Sequence, residues 1–570
     1  MDFKKEYEKW CTDEYFDDET KKELLAIRDD EEEIKDRFYR RLEFGTGGLR
    51  GVIGAGTNRM NIYTVRQATQ GLANYIISQD EQEKGVAIAF DSRIMSPEFA
   101  KEAASCLSAN GIKVYLFESL RPTPELSFSV RKLGCIAGIV ITASHNPREY
   151  NGYKVYWEDG AQITPPHDKN ILAEVAKVND YEQMKTMDYD KAVTDGFIKV
   201  IGKEIDDAYI AELKKQNIHP EAITKVAKDI KIVYTPLHGT GNIPVRRVLA
   251  ELGFENVYVV EKQEKPDGNF PTVAYPNPED SKAWTLALEL AKEKDADIVL
   301  ATDPDADRLG VYAKDEKTGE YVSFTGNMSG SLIAEYILRE KKEKGELPEN
   351  AAIVETIVTT DMLKAVAEKY GVKLMEVLTG FKFIGEQIKL FEQNNSYEYI
   401  FGMEESYGCL AGTYARDKDA CVAVMMLCEV AAYYKLKGMT LCDAMQDMYK
   451  EYGYYKEGLF TITKKGIDGA EQIENMMREK RENPATVMGG FKVLKMRDYQ
   501  SDEVKDMVTG ETGTTGLPKS NVLYYELENN AWCCVRPSGT EPKIKFYYGV
   551  KGESLEDAEK KLEAIKEDLI

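Results

Sequence analysis

Short apolar runs recur along most of the chain, and each is followed by a polar or glycine-rich loop and then by an amphipathic segment. The runs are VAIAF before Asp91, GIVIT before Ala143, IKIVYT before Pro236, ADIVLAT before Asp303 and AAIVETIV before Thr359. Alternating strand and helix patterns of this kind are typical of α/β domains with largely parallel sheets. The pattern therefore predicts several α/β domains whose functional loops lie beyond the carboxyl ends of the strands.

Both ends of the chain depart from this pattern. The first 43 residues are charged and carry aromatic residues at helical spacing, which predicts a helical lead-in. The final segment has an α+β pattern with the loops GETGTTG and RPSGTEP. A chain of 570 residues needs several hydrophobic cores, and the predicted domains are residues 1–205, 206–323, 324–455 and 456–570.

Charge and composition exclude several classes of partner. The 98 acidic and 75 basic residues give a formal charge of −23, which would repel a nucleic acid backbone. The most apolar stretch, from Cys421 to Tyr434, is interrupted by Glu429 and predicts a buried helix, not a membrane span. We therefore expect neither a nucleic acid nor a membrane partner.

The opening segment and the cysteines indicate a cytoplasmic protein. MDFKKEYEKWCTDEYFDDET has charges where a signal peptide requires an apolar region. The nine cysteines include no C-x-x-C pair, which disfavours a disulfide framework or a cysteine zinc site. The motifs G-x-S-x-G, H-E-x-x-H and G-x-x-x-x-G-K-[ST] are also absent, so serine hydrolase, zinc protease and P-loop NTPase functions lack their usual support.

The loop ITASHNPREYNGYKVY, from Ile141 to Tyr156, follows a buried strand and contains Ser144. A serine hydroxyl is a poor nucleophile unless a base, a metal or an attached phosphoryl group assists it. A lone Ser-His pair in a turn is more often structural, but the long pattern T-A-S-H-N-P with N-G-Y-K is specific. Lys154 would lie in the same cavity as Ser144 if this loop folds back.

The loop ATDPDADRLG places Asp303, Asp305 and Asp307 at alternate positions directly after a buried strand. Their carboxylates can project to one side and converge on a cation. Oxygen ligands without His or Cys favour Mg²⁺ over zinc. A solvated acidic turn is the alternative, and the preceding buried strand disfavours it.

Two further loops offer contacts for a sugar and for a phosphate. In GMEESYG, Glu404 and Ser406 present an acceptor and a donor that suit adjacent sugar hydroxyls, whereas Glu405 is given no role. In RPSGTEPK, the donors that would surround a dianionic phosphate are Arg536, Ser538, the Gly539 backbone and Thr540. On pattern alone, the charges of LTGFKFIGE and ARDKDA (Lys382, Arg416, Lys418 and Asp419) are ordinary surface charges.

With these loops in this order, the chain resembles the α-D-phosphohexomutase superfamily, in its phosphoglucomutase and phosphopentomutase branch. The match runs from about Glu43 to near the C-terminus. The resemblance implies three related mixed α/β domains and a C-terminal α+β domain around a central cleft. It implies that Ser144 is phosphorylated in the active enzyme and binds Mg²⁺ together with the three aspartates, and that Arg308 contacts phosphate.

The resemblance also suggests roles for the remaining residues. Lys154 and Lys418 would act as general acid and base, with Arg50 assisting and His145 orienting the serine loop; which of Lys154, Lys418 and Arg50 acts as acid or base stays open. The substrate contacts that it implies are Thr379, Gly380 and Lys382 of TGFKFIGE, Glu404, Ser406, Arg536, Ser538, Gly539 and Thr540. Gly408 stands where mannose-tolerant members carry a histidine, which disfavours a bacterial phosphomannomutase.

The implied function is a phosphoglucomutase that interconverts glucose 1-phosphate and glucose 6-phosphate through a phosphoserine, with glucose 1,6-bisphosphate as activator and intermediate. The implied partners are small-molecule sugar phosphates, and the assembly would be a monomer or a small homo-oligomer. A phosphopentomutase acting on ribose or deoxyribose phosphates and a sugar-bisphosphate synthase are alternatives within the class. A metal-dependent sugar phosphatase is less favoured, because Asp307 stands where its D-x-D loop needs Thr or Val. A non-catalytic sugar-phosphate sensor would not need Ser144 and the three aspartates.

Overall fold

The computed structural model of the chain describes residues 2–45, 47–464, 469–538 and 543–569. The charged lead-in forms three helices, α1 (Phe3–Thr12), α2 (Asp18–Ala26) and α3 (Glu31–Phe38). An aspartate before each helix accepts a hydrogen bond from a first-turn backbone N–H, which stabilises the helix N-terminus. The helices pack around Trp10, whose ring stacks on Phe16 with a centroid distance of 4.3 Å.

Domain I contains a six-stranded sheet in the order β1-β5-β4-β2-β3-β6. Its strands are β1 (Gly48–Val52), β2 (Val86–Phe90), β3 (Val114–Phe117), β4 (Ala137–Ile141), β5 (Tyr150–Trp157) and β6 (Ile198–Ile201). Its helices are α4 (Ile62–Ser78), α5 (Ser96–Ala109), α6 (Thr123–Leu133), α7 (His167–Lys177) and α8 (Tyr189–Thr194). Strand β5 is antiparallel to both of its neighbours. Strands β2 and β4 are buried at every position, as expected for strands with both faces covered.

Domain II contains a five-stranded sheet in the order β11-β10-β9-β7-β8. Its strands are β7 (Lys231–Thr235), β8 (Asn256–Val259), β9 (Ile298–Thr302), β10 (Leu309–Lys314) and β11 (Tyr321–Phe324). Its helices are α9 (Lys203–Lys214), α10 (Pro220–Val226), α11 (Asn242–Glu251), α12 (Glu261–Glu264) and α13 (Thr285–Lys294). Strand β10 is antiparallel to β9 and β11, whereas β9, β7 and β8 are parallel.

Domain III contains a four-stranded sheet in the order β13-β12-β14-β15. Its strands are β12 (Ala351–Thr356), β13 (Lys373–Val377), β14 (Glu398–Glu404) and β15 (Gly408–Ala411). Its helices are α14 (Gly326–Glu343), α15 (Asp361–Tyr370), α16 (Phe381–Asn394), α17 (Ala420–Leu436) and α18 (Leu441–Tyr452). Helix α17 contains the apolar stretch that was predicted to be a buried helix, and most of its residues are buried.

The three α/β domains share one strand arrangement. The orders β5-β4-β2-β3, β10-β9-β7-β8 and β15-β14-β12-β13 are equivalent, and in each domain the last parallel strand turns back into an antiparallel strand. The three hairpin loops lie in the motifs that contain Ser144, the aspartates and Glu404. Each loop has a non-glycine residue with a left-handed backbone, namely Ser144 (φ 50°), Ala306 (φ 52°) and Tyr407 (φ 65°).

Domain IV is an antiparallel α+β unit, so the predicted fold class is confirmed. Its strands are β16 (Tyr454–Thr463), β17 (Val487–Met488), β18 (Phe491–Asp498), β19 (Glu503–Asp506), β20 (Thr512–Gly513), β21 (Leu523–Leu527), β22 (Trp532–Pro537) and β23 (Lys543–Gly552). Its helices are α19 (Gly469–Glu482) and α20 (Leu555–Leu569). The main path of the sheet is β16-β23-β22-β21-β18-β19-β20, and β17 pairs with β18.

The apolar cores differ between the domains. One large cluster joins facing sides of domains I, II and III and includes Tyr156, Tyr234 and Phe401. Domain IV has a core of its own around Val535 and Phe546. Across the part of the chain that the structure describes, none of the helices combines the length and the apolar character that crossing a membrane requires.

Candidate active site

The Ser144 loop connects β4 to β5 and brings the serine hydroxyl to the edge of domain II. Ser144 is only 3% exposed, and its Oγ donates a hydrogen bond to Asp303 Oδ2 over 2.7 Å. The Ser144 backbone N–H donates to Thr142 Oγ1, which supports the left-handed conformation of the serine. The serine and the aspartate loop therefore meet, although 159 residues separate the two side chains in the sequence.

Arg93 holds the serine loop in shape. Its guanidinium donates to four carbonyl oxygens of the loop, those of Ser144, Asn146, Pro147 and Tyr150. The side chain is fully buried, and its Nε lies 3.4 Å from Asp91 Oδ2. Sequence analysis missed Arg93 because its partners are backbone carbonyls, which leave no residue pattern. The available signal was the charged DSR segment directly after a buried strand.

The three aspartates of the β9–β10 loop converge as the alternating pattern predicts. All three are buried, and each offers a carboxylate oxygen that lies within 4.8 Å of the others. The backbone N–H groups of Asp307 and Arg308 donate to Asp303 Oδ1, which fixes the loop around this carboxylate. The loop therefore presents a compact group of oxygens directly beside Ser144.

This donor set fits a hard divalent cation. Among the described residues, Asp305 Oδ1 and Asp307 Oδ1 are buried and have no hydrogen-bond partner. Buried carboxylate oxygens without a partner are unfavourable unless a positive charge balances them. Because the donors are all oxygens, the group suits Mg²⁺ better than zinc.

Lysines from two domains balance part of this negative charge. Lys154 on β5 places its Nζ 2.9 Å from Asp305 Oδ2 and 3.5 Å from Asp307 Oδ2. Burial opposes the charge on Lys154, but Asp305 and Asp307 outweigh it and raise the pKa of the ammonium group. Burial alone would raise the pKa of Asp305, whereas Lys154 holds that pKa below its ordinary value. Burial and the two neighbouring carboxylates raise the pKa of Asp303 well above its ordinary value.

Lys418 connects the aspartates to the Glu404 loop. Its Nζ lies 3.3 Å from Asp307 Oδ2, 3.4 Å from Glu404 Oε1 and 3.6 Å from Asp417 Oδ1. Burial disfavours the charged form, but these three carboxylates raise the pKa of Lys418 well above its ordinary value. The interpretation of ARDKDA as surface charge is wrong, because Arg416 and Asp419 are also fully buried. Their environment depends on packing between domains, which the local pattern does not contain.

The Glu404 loop also contains a carboxyl group that sequence analysis left without a role. Burial, followed by the charge of Glu404, raises the pKa of Glu405 to about 7. Its Oε2 accepts a hydrogen bond from Thr356 Oγ1. Ser406 lies in the same turn and is half-buried.

Three further cationic or titratable side chains lie at the serine and aspartate loops. His145 Nδ1 lies 3.1 Å from Ser144 Oγ, and burial together with Arg308 and Arg50 lowers the pKa of His145 well below its ordinary value. A neutral imidazole can therefore orient the hydroxyl. Arg50 is exposed on β1 and donates to Asn146 Oδ1. Arg308 forms an ion pair with Glu279, and its Nε lies 3.9 Å from Asp307 Oδ1.

Domain IV reaches the site through Arg536. Its Nη1 donates to Thr379 Oγ1 of domain III over 2.6 Å, and Gly380 next to it has a positive φ of 113°. Lys382 follows in the first turn of α16, and burial lowers its pKa. Ser538 is half-buried near the end of β22. Gly539 and Thr540, the other two predicted phosphate contacts, lie outside the described residues.

Lys545 is a further cation in this region that sequence analysis missed. It pairs with Arg536 across strands β22 and β23. Burial and the neighbouring Arg536 lower the pKa of Lys545, with Glu405 acting in the opposite direction. The available signal was its position as a second basic residue just after the RPSGTEPK motif.

Backbone hydrogen bonds join the loops of the three α/β domains. The Thr123 N–H of domain I donates to the Asp305 carbonyl, and the Leu309 N–H of domain II donates to the Tyr407 carbonyl. The Ala420 N–H of domain III donates to the Ala306 carbonyl. The relative placement of the loops therefore depends on the main chain as well as on charged side chains.

Comparison with known proteins identifies the family. Models of the three α/β/α domains of the phosphoglucomutase/phosphomannomutase family match residues 41–182, 207–318 and 325–452. A phosphoglucomutase of Staphylococcus saprophyticus is 37% identical over 94% of this chain and 95% of its own length. A phosphoglucomutase of Staphylococcus aureus is 38% identical over 94% of both chains.

Two solved structures share the fold at low sequence identity. The open form of parafusin, an exocytosis-sensitive phosphoprotein and phosphoglucomutase from Paramecium, has a TM-score of 0.67 at 19% identity and covers 93% of this chain and 94% of its own. A phosphoglucomutase/phosphomannomutase family protein of Burkholderia thailandensis has a TM-score of 0.62 at 19% identity and covers 92% of this chain and 97% of its own. The chain therefore belongs to the phosphoglucomutase/phosphomannomutase family of the α-D-phosphohexomutase superfamily, and it is a phosphosugar mutase.

Proposed function

We propose that the enzyme interconverts glucose 1-phosphate and glucose 6-phosphate through a phosphorylated Ser144. The observation that carries this proposal is the approach of Ser144 Oγ to Asp303 Oδ2, 2.7 Å apart across the boundary between domains I and II. The relatives named phosphoglucomutase cover 94% of the chain, which supports glucose over a pentose as the sugar.

In the proposed cycle, a sugar hydroxyl attacks the phosphorus of phosphoserine 144. The bond between phosphorus and Ser144 Oγ breaks as the new phosphorus–oxygen bond forms, and the hydroxyl proton passes to a base of the site. The product of this first half-reaction is glucose 1,6-bisphosphate. The bisphosphate then reorients within the cleft, so that its other phosphate faces Ser144. Ser144 Oγ attacks the phosphorus of this phosphate, and the released sugar oxygen takes a proton.

Asp303, Asp305 and Asp307 would hold Mg²⁺ in this cycle, together with the phosphoryl group on Ser144. Bound there, the ion would neutralise charge that develops on the transferred phosphoryl group. The two buried Oδ1 atoms without a partner among the described residues support this assignment. The three carboxylates also order Lys154 and Lys418 around the reacting group.

Proton transfer would fall to Lys154 and Lys418, since both ammonium groups lie at the aspartate cluster. Their raised pKa values favour the protonated form, which suits donation to a leaving oxygen. Arg50 would assist from β1, and His145 would orient the Ser144 hydroxyl. Glu404 and Ser406 would bind sugar hydroxyls.

The phosphate that does not react would bind at the domain IV side of the cleft. Arg536 has the geometry to bind a phosphate with two parallel hydrogen bonds, and Arg308 lies on the other side near the aspartates. Ser538, Gly539 and Thr540 would complete this clamp, and Thr379, Gly380 and Lys382 would line the neighbouring wall. We also propose a cytoplasmic location, which the nine free cysteines, all within the described residues, support.

The test compares wild type, Ser144→Ala and the control Ser78→Ala, which removes an exposed hydroxyl at the end of α4. Ser144→Ala should lose more than about 1,000-fold in kcat, because no other hydroxyl would carry the phosphoryl group. Intact mass after incubation with glucose 1,6-bisphosphate should show one phosphoryl adduct in wild type and none in Ser144→Ala. Normal turnover in Ser144→Ala would refute the covalent route. A preference for ribose 5-phosphate over glucose 1-phosphate would instead assign the enzyme to the pentose branch.

A further inference from the structure

Gly408 leaves the space that the Lys418 side chain occupies. It is the buried first residue of β15 and pairs with Glu404 across the β14–β15 hairpin. A Cβ built on Gly408 would lie 2.2 Å from Lys418 Cδ, 3.1 Å from Lys418 Cβ and 3.2 Å from Glu404 Oε1. Carbon atoms at van der Waals contact are about 3.5–4.0 Å apart, so any side chain at position 408 would displace the lysine.

The backbone after Lys418 has little freedom to move away. The Asp419 N–H donates to the Cys409 carbonyl, and the Asp419 carboxylate caps α17 by accepting from the Cys421 and Val422 N–H groups. The same carboxylate accepts hydrogen bonds from Tyr209 and Tyr414. An added side chain at Gly408 would therefore move the Lys418 side chain before it moved the main chain.

The hairpin that carries Gly408 is equally constrained. The first residue of α14, Gly326, packs so closely against the turn that its own Cβ would lie 2.6 Å from the Glu405 carbonyl and 2.7 Å from the Tyr407 nitrogen. The turn is also tied to domain II by the hydrogen bond from Leu309 to Tyr407. Neither main-chain segment can move away without breaking backbone hydrogen bonds, so the Lys418 side chain is the part that has to move.

We propose that Gly408 is a positioning residue for the reaction, which acts by keeping the Lys418 Nζ between Asp307 and Glu404. The left-handed backbone that often explains a buried glycine is not the reason at this position, since Gly408 is not among the glycines with positive φ. Glycine is needed at this position because a residue with a Cβ would leave no room for the Lys418 side chain. The catalytic part of this inference rests on the proposed function of Lys418, whereas the steric part does not.

The kinetic test is a double-mutant cycle of Gly408→Ala and Lys418→Ala. Gly408→Ala should lower kcat by about 100-fold, the lower range for a misplaced general acid or base, and should change KM less than kcat. In the Lys418→Ala background, Gly408→Ala should cause no further loss, because the group that it displaces is gone. The control Cys409→Ala changes the next residue of β15 and should keep wild-type kcat. Additive losses in the double variant would overturn the proposal.

A second readout does not depend on turnover. Acetylation of lysines, measured by peptide mass, should label Lys418 slowly in wild type, where its side chain is 13% exposed, and several-fold faster in Gly408→Ala. If Gly408→Ala lowers the Tm, adding Lys418→Ala to the same chain should restore most of the loss, because it removes the 2.2 Å contact with Lys418 Cδ and leaves, of the lysine, only the 3.1 Å contact with Cβ. Unchanged labelling with unchanged kcat would overturn the inference. A wild type without glucose mutase activity, but with the same labelling response, would overturn only the proposed function.

Discussion

Two junctions of the molecule differ in the contacts that they offer at the active site, although an apolar cluster also joins domains I, II and III behind the loops. At the loops where domains I, II and III meet, the contacts are polar: Ser144 donates a hydrogen bond to Asp303, and Lys154 and Lys418 form ion pairs with Asp305 and Asp307. Where domains III and IV meet, the contact is mainly apolar and aromatic, with Val358 and Leu378 packed against Trp532 and Tyr547 of domain IV. The described polar contacts across it include Arg536 with Thr379 and Thr360 with Glu457.

The two kinds of contact differ in how strictly they fix the relative orientation of the domains. Paired charges and hydrogen bonds have one favourable geometry, whereas apolar burial depends on area and is non-directional. The first junction can therefore fix the reacting atoms within the tolerance that phosphoryl transfer needs. The second can hold domain IV in place while allowing it small displacements, which the proposed phosphate clamp would require.

The largest effect is expected from breaking the charged junction. Asp305→Asn removes a proposed metal ligand and the partner of Lys154, and kcat should fall about 1,000-fold, since loss of several kcal/mol of charge stabilisation gives a factor of this size. Thermal unfolding monitored by circular dichroism would show whether the fold is retained. Glu320→Gln, at an exposed position of domain II, is the matched control.

Chelation tests the same junction without a mutation. EDTA should abolish turnover in wild type, and added Mg²⁺ should restore it. Retention of more than a tenth of the wild-type kcat in Asp305→Asn, or full activity after chelation, would contradict the assignment of the aspartates.

An intermediate effect is expected at the domain IV side. Arg536→Ala should raise KM by about 10–100-fold, which corresponds to one charge-assisted hydrogen-bond contact. The effect on kcat should be smaller, because this contact exists in both ground and transition states. Steady-state kinetics with glucose 1-phosphate would measure both. Arg478→Ala, on the exposed face of α19, should leave both unchanged, and a fall in kcat alone would contradict the clamp.

The smallest effect concerns pH and the III–IV junction. Burial raises the pKa of Glu457 to about 7, above the ordinary value of 4.5, and Thr360 donates to this carboxyl group. The folded state therefore binds a proton more tightly than the unfolded state between pH 4.5 and 7. In this window the free energy of unfolding falls as the pH rises.

Glu457→Gln should reduce the fall in Tm between pH 5 and pH 8 by about 2–4 °C. The slope should not vanish, because burial also raises the pKa of Asp361 to about 6. Differential scanning calorimetry would measure it, with Glu482→Gln at the exposed end of α19 as the control. An identical slope in wild type and Glu457→Gln would show that this carboxyl group does not titrate at the junction.

Sequence patterns predicted the charged junction better than the apolar one. Ser144 and the aspartates follow buried strands, so their place at a sheet edge follows from strand geometry. The shared strand order then brings these loops together. The burial of Lys418 and Arg416 could not be predicted from ARDKDA, because it comes from packing of domain III against domains I and II.

Arg93 and Gly408 show a second limit. Arg93 binds carbonyl oxygens and Gly408 provides empty space. The charged segment after β2 could mark Arg93 as a candidate, but the sequence indicates neither its role nor that of Gly408. Both become visible only when the distance between two segments is known. The roles of the individual site residues stay predictions, which the variants above test one at a time.

The backbone hydrogen bonds between the loops have a consequence for solvent exchange. The amide protons of Thr123, Leu309 and Ala420 point into a neighbouring domain, so each can exchange with deuterium only when two domains separate locally. If the three α/β domains open as one cooperative unit, these amides should show one common free energy of opening after correction for their intrinsic exchange rates. Their deuterium uptake would then report how often the three α/β domains separate at the active site in the resting enzyme.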